Sequence, residues 1–428
     1  MKTINVDYLA RVEGEGGLTI KFKGDEVRSV ELRIFEPPRL FEAFLRGRPQ
    51  LEVPDITARI CGICPVAYQM SSCQAIERAL GVRVEGVLRE LRRLLYCGEW
   101  IESHTLHVFM LHAPDFLGYP DIVAMARDHR EHVERGLRIK KAGNTLLEKL
   151  GGRAIHPVNV RVGGFFRAPE KRELAALLPE LVWARDAIVE EARWLAGLSY
   201  PDFERDYEFV AMKHPTEYAI LDGRITSSRG VDIDCADWET TFEEYQVKHS
   251  TALQCRVKGR GEYLAGPLAR FNLSSEQLSP RAKELARELG LRAPVRNPFK
   301  GILVRAVEVC HVFEEAIAII EKYERPARSF EEVPRREATG WGVTEAPRGL
   351  LYHRYRLAAD GTVAEAKIVP PTSQNQSCIE GDLRAIAPRL IAIPHADATH
   401  LAEHAVRNYD PCISCSTHFL RLVREEVP

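Results

Sequence analysis

The chain has 428 residues, with 59 Lys plus Arg against 61 Asp plus Glu and a formal net charge of −2, so it lacks the basic excess of a dedicated nucleic-acid binder. Hydrophobic residues make up 45% and charged residues 28%, which is ordinary globular composition in a chain long enough to bury a core without disulfide or metal staples. No apolar run approaches the roughly 20 residues that span a bilayer, and the N-terminal MKTINVDYLARVEGEGG has no apolar signal-peptide core, so a cytoplasmic protein is expected.

Taken in order, residues 18–22 (Leu18, Ile20, Phe22) and 30–34 (Val30, Leu32, Ile34) alternate apolar and polar. They predict a hairpin turning near Gly24-Asp25. Residues 86–112 carry Leu88, Leu91, Leu95 and Ile101 at helical spacing, 121–150 read as a charged helix ending at Gly151-Gly152, and 170–197 as a helix with Pro169 near its start. Short strand-like pieces occupy 215–273. Helices are expected at 279–289, 304–322 and 394–408, and a strand pair within 341–370 around Ala359-Asp360-Gly361. The predicted fold is mainly α with α+β additions: a central long-helix bundle with small peripheral β-sheets. It reads as one body, with β elements over 1–36, a helical core over about 55–200, mixed α/β over 201–375, and a C-terminal helix and motif over 376–418.

Ten cysteines in a reducing compartment point to metal or redox work where they pair. Two C-x-x-C pairs stand out, Cys61/Cys64 in RICGICP and Cys412/Cys415 in DPCISCSTH. Each spacing lets both sulfurs reach one ion, and four thiolates suit zinc, iron or nickel. A closed structural zinc site is one reading. Zinc ribbons, however, place their pairs about 15–20 residues apart, whereas here the pairs lie near opposite ends of the chain. A reactive centre assembled from both ends is the other reading. The single cysteines Cys73, Cys97, Cys235, Cys255, Cys310 and Cys378 read as small buried apolar residues.

The pairs and their neighbours resemble the large subunit of nickel-iron hydrogenases. Arg11-Val-Glu13-Gly14 resembles that family's R-x-E-G motif, and Phe41-Glu42 with Gly47-Arg48 the segment ahead of the first pair. Gly151-Gly152-Arg153 with His156-Pro157, Gly266-Pro-Leu-Ala-Arg270, Glu345-Ala-Pro-Arg348-Gly349, and Pro371-Thr372 with Asn375 follow in the family's order. The resemblance runs from about residue 11 to 418 and implies one domain of that type. It further implies reversible heterolytic cleavage of hydrogen. All four cysteines then bind nickel, Cys64 and Cys415 bridge to an iron carrying carbon monoxide and cyanide, and Cys412 is a candidate proton acceptor. Glu13 becomes the proton relay, its carboxyl suited to exchange near neutral pH if burial raises its pKa. Arg348 becomes a fixed guanidinium over the metals, held by Asp410 and Asp115. Thr372 matches a position that hydrogen-bonds cyanide. Glu42 and His418 match ligands of a magnesium or second iron ion.

In the family, an endopeptidase cuts after the last motif histidine once nickel is inserted. The resemblance places that cut between His418 and Phe419 and makes 419–428 a removable extension. No further cysteine cluster exists here to hold iron–sulfur centres. The implied partners are therefore an iron–sulfur small subunit, flavin/NAD(P)-binding and ferredoxin-like subunits, and the nickel-insertion proteins. Tyr68 and Glu15 stand where many members have histidine, and 371–375 reads PTSQN for the usual PTTWN. These departures resemble NAD(P)-linked, sulfhydrogenase-type enzymes. A hydrogen-sensing subunit is the alternative. His400-x-x-Glu403-His404 matches a metalloprotease pattern, but little chain remains downstream for a third ligand, so it reads as a polar helix face.

Overall fold

A computed structural model describes residues 2–24 and 26–417. Three antiparallel strands open the chain, Lys2–Val6, Gly16–Lys23 and Glu26–Ile34, in that spatial order. The hairpin expected at 18–34 is present. Leu18 faces Leu32 and Ile20 faces Val30, which puts the alternating apolar side chains on one buried face. The edge strand Lys2–Val6 adds a third strand to this hairpin, within the 1–36 range expected to be β.

Five helices dominate the centre: Pro65–Leu80, Gly86–Thr105, Arg130–Gly151, Leu178–Ala196 and Gly301–Lys322. Gly86–Thr105 packs on both Arg130–Gly151 and Gly301–Lys322, and the latter also packs on Leu178–Ala196. Leu88, Leu91, Leu95 and Ile101 are all buried, as an inward helical stripe requires. The helix expected over 86–112 is α only to Thr105 and continues as a π-helical turn over Leu106–His112. The one expected over 121–150 is split into Ile122–Met125 and Arg130–Gly151.

The mixed region forms a four-stranded sheet in the order Leu264–Ala265, Phe209–Lys213, Arg224–Ser227, Asp232–Ile233. The strand pair expected within 341–370 is a three-stranded antiparallel sheet, Ala338–Ala346, Gly349–Leu357 and Val363–Val369. Its first strand lies against the Pro65–Leu80 helix. A Cβ on Gly340 or Gly342 would meet backbone oxygens of that helix at 2.1 and 2.3 Å, so only glycine permits this approach. Two further helices, Pro371–Ala392 and His395–Arg407, bring the chain to its C-terminal motif.

One hydrophobic cluster runs from Ile4 in the first sheet through the bundle to Cys415, and it includes Cys61, Cys64 and Cys412. Among the described residues no helix is long and apolar enough to cross a membrane.

Candidate metal centre

Cys61 and Cys64 occupy the turn between the Val53–Ala58 and Pro65–Leu80 helices. Cys64 precedes the second helix, and Pro65 at its first position has no N–H to satisfy. The next two donors, Val66 N and Ala67 N, reach the buried Glu99 carboxylate at 2.5 and 3.0 Å. Glu99 thus fixes the helix start on which Cys64 sits. Cys412 lies in the turn entering the short helix Ser414–Thr417, and Cys415 lies within that helix. Backbone pairing ties this turn to the N-terminus, with Ile413 N donating to Glu13 O at 2.9 Å. Arg39 links the two halves: its Nη2 donates to Ile60 O at 2.7 Å and also to Ser414 O.

The result is four buried sulfurs within 4.8 Å of one another. Cys61 Sγ lies 3.4 Å from Cys412 Sγ, Cys64 Sγ 4.0 Å from Cys415 Sγ, and Cys412 Sγ 2.8 Å from Cys415 Sγ. None of these is a disulfide, whose sulfurs would be about 2.05 Å apart. Four thiolates about 2.3 Å from one ion would stand about 3.8 Å apart, so the cluster is of the size a metal needs. Its electrostatics agree. Neighbouring thiols donating to Cys61 hold it well below the ordinary thiol range, while burial and the same neighbours push Cys412 well above it. Four thiols this close cannot all ionise alone; a cation that takes thiolates removes the conflict.

Glu13, Arg348, Asp410 and Thr372 converge on this cluster. Glu13 Oε2 accepts from Cys412 Sγ at 3.0 Å and from Ser414 N at 3.1 Å. Glu13 is only half-buried in this chain, less enclosed than the sequence suggested. Arg348 sits in the two-residue turn joining the strands that end at Ala346 and begin at Gly349, which points it inward. Its Nε donates to Asp410 O at 2.6 Å and its Nη2 to Asp410 Oδ1 at 3.1 Å. Burial opposes the charge, but Asp410 and, after it, the negative charge of the cysteine cluster outweigh it and hold the guanidinium well above its usual pKa. Thr372 Oγ1 accepts from Cys412 N at 3.0 Å. Tyr68 is buried, and burial, then the adjacent Cys415 and Cys64, push its phenol well up.

Asp115 does not hold Arg348. It accepts from Arg407 Nε and Nη2, both at 2.7 Å, and from Arg11 Nη2 at 2.5 Å. The second side chain on Arg348 is Ser103, whose Oγ lies 3.4 Å from Nη1. The π-helical turn over Leu106–His112 separates Ser103 from Asp115 along the chain. Glu42 is half-buried and accepts from Ile368 N at 2.8 Å. His418 and Phe419 lie outside the described residues, which end at Thr417, where the carbonyl accepts from Arg39 N at 2.5 Å.

Sequence reasoning missed Ser103, Glu99 and Arg39. None lies in a spacing pattern that marks it.

His404 of the metalloprotease-like pattern joins a different buried group, with ligand atoms of His112, Asp115 and His404 within 4.8 Å. Both Asp115 oxygens are already taken by guanidinium groups. Two fixed cations beside them oppose a third.

A model of the nickel-dependent hydrogenase family matches residues 39–135 and 276–418. Sulfhydrogenase 1 subunit alpha of Pyrococcus furiosus is 34% identical over 423 residues, 98% of each chain. NAD-reducing hydrogenase HoxS subunit beta of Cupriavidus necator is 25% identical over 463 residues, 97% of this chain and 94% of that one. A solved NAD+-reducing NiFe-hydrogenase in the H2-reduced state superposes with a TM-score of 0.89 at 27% identity, covering 98% of this chain and 100% of that chain. The four-cysteine cluster, the helical scaffold around it and these end-to-end likenesses agree: the chain belongs to the nickel-dependent hydrogenases and is the large subunit of such an enzyme.

Proposed function

We propose that this subunit performs reversible cleavage of hydrogen to two protons and two electrons, with nickel held by Cys61, Cys64, Cys412 and Cys415. Cys64 and Cys415 would also hold an iron carrying carbon monoxide and cyanide. A nickel–iron pair there would supply the Lewis acid that polarises hydrogen and the sink for its two electrons.

The chain's own residues handle the proton. Cys412 Sγ takes it up and passes it to Glu13 Oε2, 3.0 Å away, and this short contact is the observation that carries the reading. Ser414 N steadies the Glu13 carboxylate at the receiving oxygen. Arg348, locked by Asp410, keeps a fixed positive charge beside the thiolates, where it orients the reactant or a diatomic iron ligand. Thr372 fixes the Cys412 backbone through its hydroxyl oxygen and has a hydroxyl hydrogen left for a cyanide. Glu42 and His418 would hold the magnesium or second iron ion. An endopeptidase would cut between His418 and Phe419 after nickel-insertion proteins act.

Electrons would leave through an iron–sulfur small subunit to flavin/NAD(P)-binding and ferredoxin-like subunits, in the cytoplasm. The likeness to an NAD+-reducing enzyme at TM-score 0.89 supports that route. Residues 1–418 would act as one domain.

Glu13→Gln tests the proton step. The variant keeps nickel and iron, and hydrogen–deuterium exchange falls at least a hundredfold. Unaltered exchange would reject the relay.

A further inference from the structure

Arg348 is not the whole of its own support. The turn that carries it, Ala346-Pro347-Arg348-Gly349, is gripped from beneath by Arg270 of the Gly266-Pro-Leu-Ala-Arg270 motif. Arg270 Nη1 donates to Ala346 O at 2.9 Å and Nη2 to Pro347 O at 3.0 Å, the two carbonyls just ahead of Arg348. The same guanidinium meets Glu345 Oε2 at 3.0 Å and both oxygens of Glu308 at 2.8 Å. It lies 4.2 Å above the Trp100 ring, whose N–H donates to Glu345 O at 3.0 Å. Every donor of this arginine that reaches a partner holds either the turn or an anion that faces it.

The backbone is fitted as closely on the other side. A Cβ on Gly266 would meet Arg348 O at 2.6 Å, so this glycine, with φ at +107°, lets its strand end press on the Arg348 peptide. The guanidinium of Arg348 is tied to the same scaffold. Arg305 lies one turn before Glu308 on the Gly301–Lys322 helix. Its Nη1 is 3.5 Å from Asp410 Oδ2 and 3.0 Å from His104 Nδ1, and His104 Nε2 is 3.0 Å from Glu308 Oε2. One buried network therefore holds the backbone of Arg348 through Arg270 and its side chain through Asp410 and Arg305. All of these residues are at most 3% exposed.

We propose that Arg270 is a positioning residue for turnover. It joins two separated sequence motifs so that the Arg348 guanidinium is fixed against the four-cysteine cluster, and its contribution to catalysis passes through Arg348. The inference rests on the proposed role of Arg348. A planar fork is needed here because two carbonyls and two carboxylates are met in different directions at once, which a lysine ammonium cannot do.

The test is a double-mutant cycle in the enzyme purified with its partner subunits: Arg270→Lys, Arg348→Lys and both together. Arg348→Lys lowers hydrogen turnover at least tenfold. Arg270→Lys lowers it at least fivefold with nickel and iron content unchanged, and it shifts the infrared bands of the iron-bound carbon monoxide and cyanide in the same direction as Arg348→Lys. In the Arg348→Lys background, adding Arg270→Lys changes turnover by less than twofold. Multiplying losses would overturn the proposal while leaving Arg348 catalytic. Full turnover in Arg348→Lys alone would instead remove the reading on which it rests. If Arg270→Lys fails to accumulate, Glu345→Gln replaces it, since the amide oxygen can still accept from Met212 N while the charge opposite Arg270 is lost. A smaller loss that again disappears in the Arg348→Lys background supports the proposal; loss of metal in both variants makes Arg270 purely structural and overturns it.

Discussion

Among the described residues two buried groups have the residue types of a metal site, and their surroundings decide differently. Around Cys61, Cys64, Cys412 and Cys415 the neighbours leave the sulfurs available. The adjacent arginine, Arg348, has its own carboxylate in Asp410, and Glu13 faces Cys412 as an acceptor. Around His112, Asp115 and His404 the carboxylate is saturated by Arg407 and Arg11. The histidines are driven toward neutrality, His112 well below its usual pKa and His404 to about 3, chiefly by burial; neutral imidazole is the form that binds metal, so it is the occupied carboxylate with its two guanidinium groups that decides against an ion here. Proximity of ligand types is therefore not enough. A site must also keep its donors free of stronger internal partners, and that property belongs to the whole neighbourhood rather than to the motif.

The largest expected effect breaks the first group. Cys61→Ser or Cys415→Ser replaces a soft thiolate with a harder, poorer donor, so nickel binding and hydrogen turnover should both be lost. Elemental analysis and a turnover assay read this directly, and retained turnover in either variant would sink the assignment.

Asp115→Asn strikes the second group. It strands two guanidinium groups in the interior and should cost about 3–5 kcal/mol of stability, seen as a lower unfolding midpoint, while nickel content in the folded fraction stays the same. The pH dependence has a definite sign. Burial alone would raise the Asp115 carboxyl, but Arg407 holds it down to about 2 against an ordinary value of 3.8. Its stabilisation is therefore complete above about pH 4 and lost as pH falls through 2, and the asparagine variant should lack that acid limb. The smallest change is His404→Gln. His404 is neutral when folded and protonates more readily when unfolded, so the native chain loses stability as pH falls from 6.5 toward 3. The variant should lose less over that window, with its nickel unchanged. A drop in nickel would give the second group a metal role after all.

Much of this was legible in the sequence where one physical signal acted alone. Apolar alternation located the 18–34 hairpin, and the 3.6-residue period located the Gly86–Thr105 and Leu178–Ala196 helices, though not Pro65–Leu80. Cysteine spacing with the flanking motifs located the ligand cluster. The Pro371–Ala392 helix escaped because its buried half is polar. Gln374, Asn375 and Gln376 hydrogen-bond to backbone groups of Leu350, Ala265 and Leu253, so no apolar stripe marks the element. Asp115 was paired with the wrong arginine because a carboxylate's partner is chosen in three dimensions. Ser103, Glu99 and Arg39 gave no warning for the same reason: each acts on backbone or side-chain groups far away in sequence. Arg270 and Arg348 were both visible as motif residues, but their linkage through Ala346 and Pro347 was not.

Everything proposed for this subunit depends on a nickel–iron centre held by the four sulfurs. Elemental analysis for nickel, iron and zinc on the complex purified from its own host addresses it most directly. Nickel and iron together in this subunit are the expected result. Stoichiometric zinc without nickel would contradict it and return the four cysteines to a closed structural site.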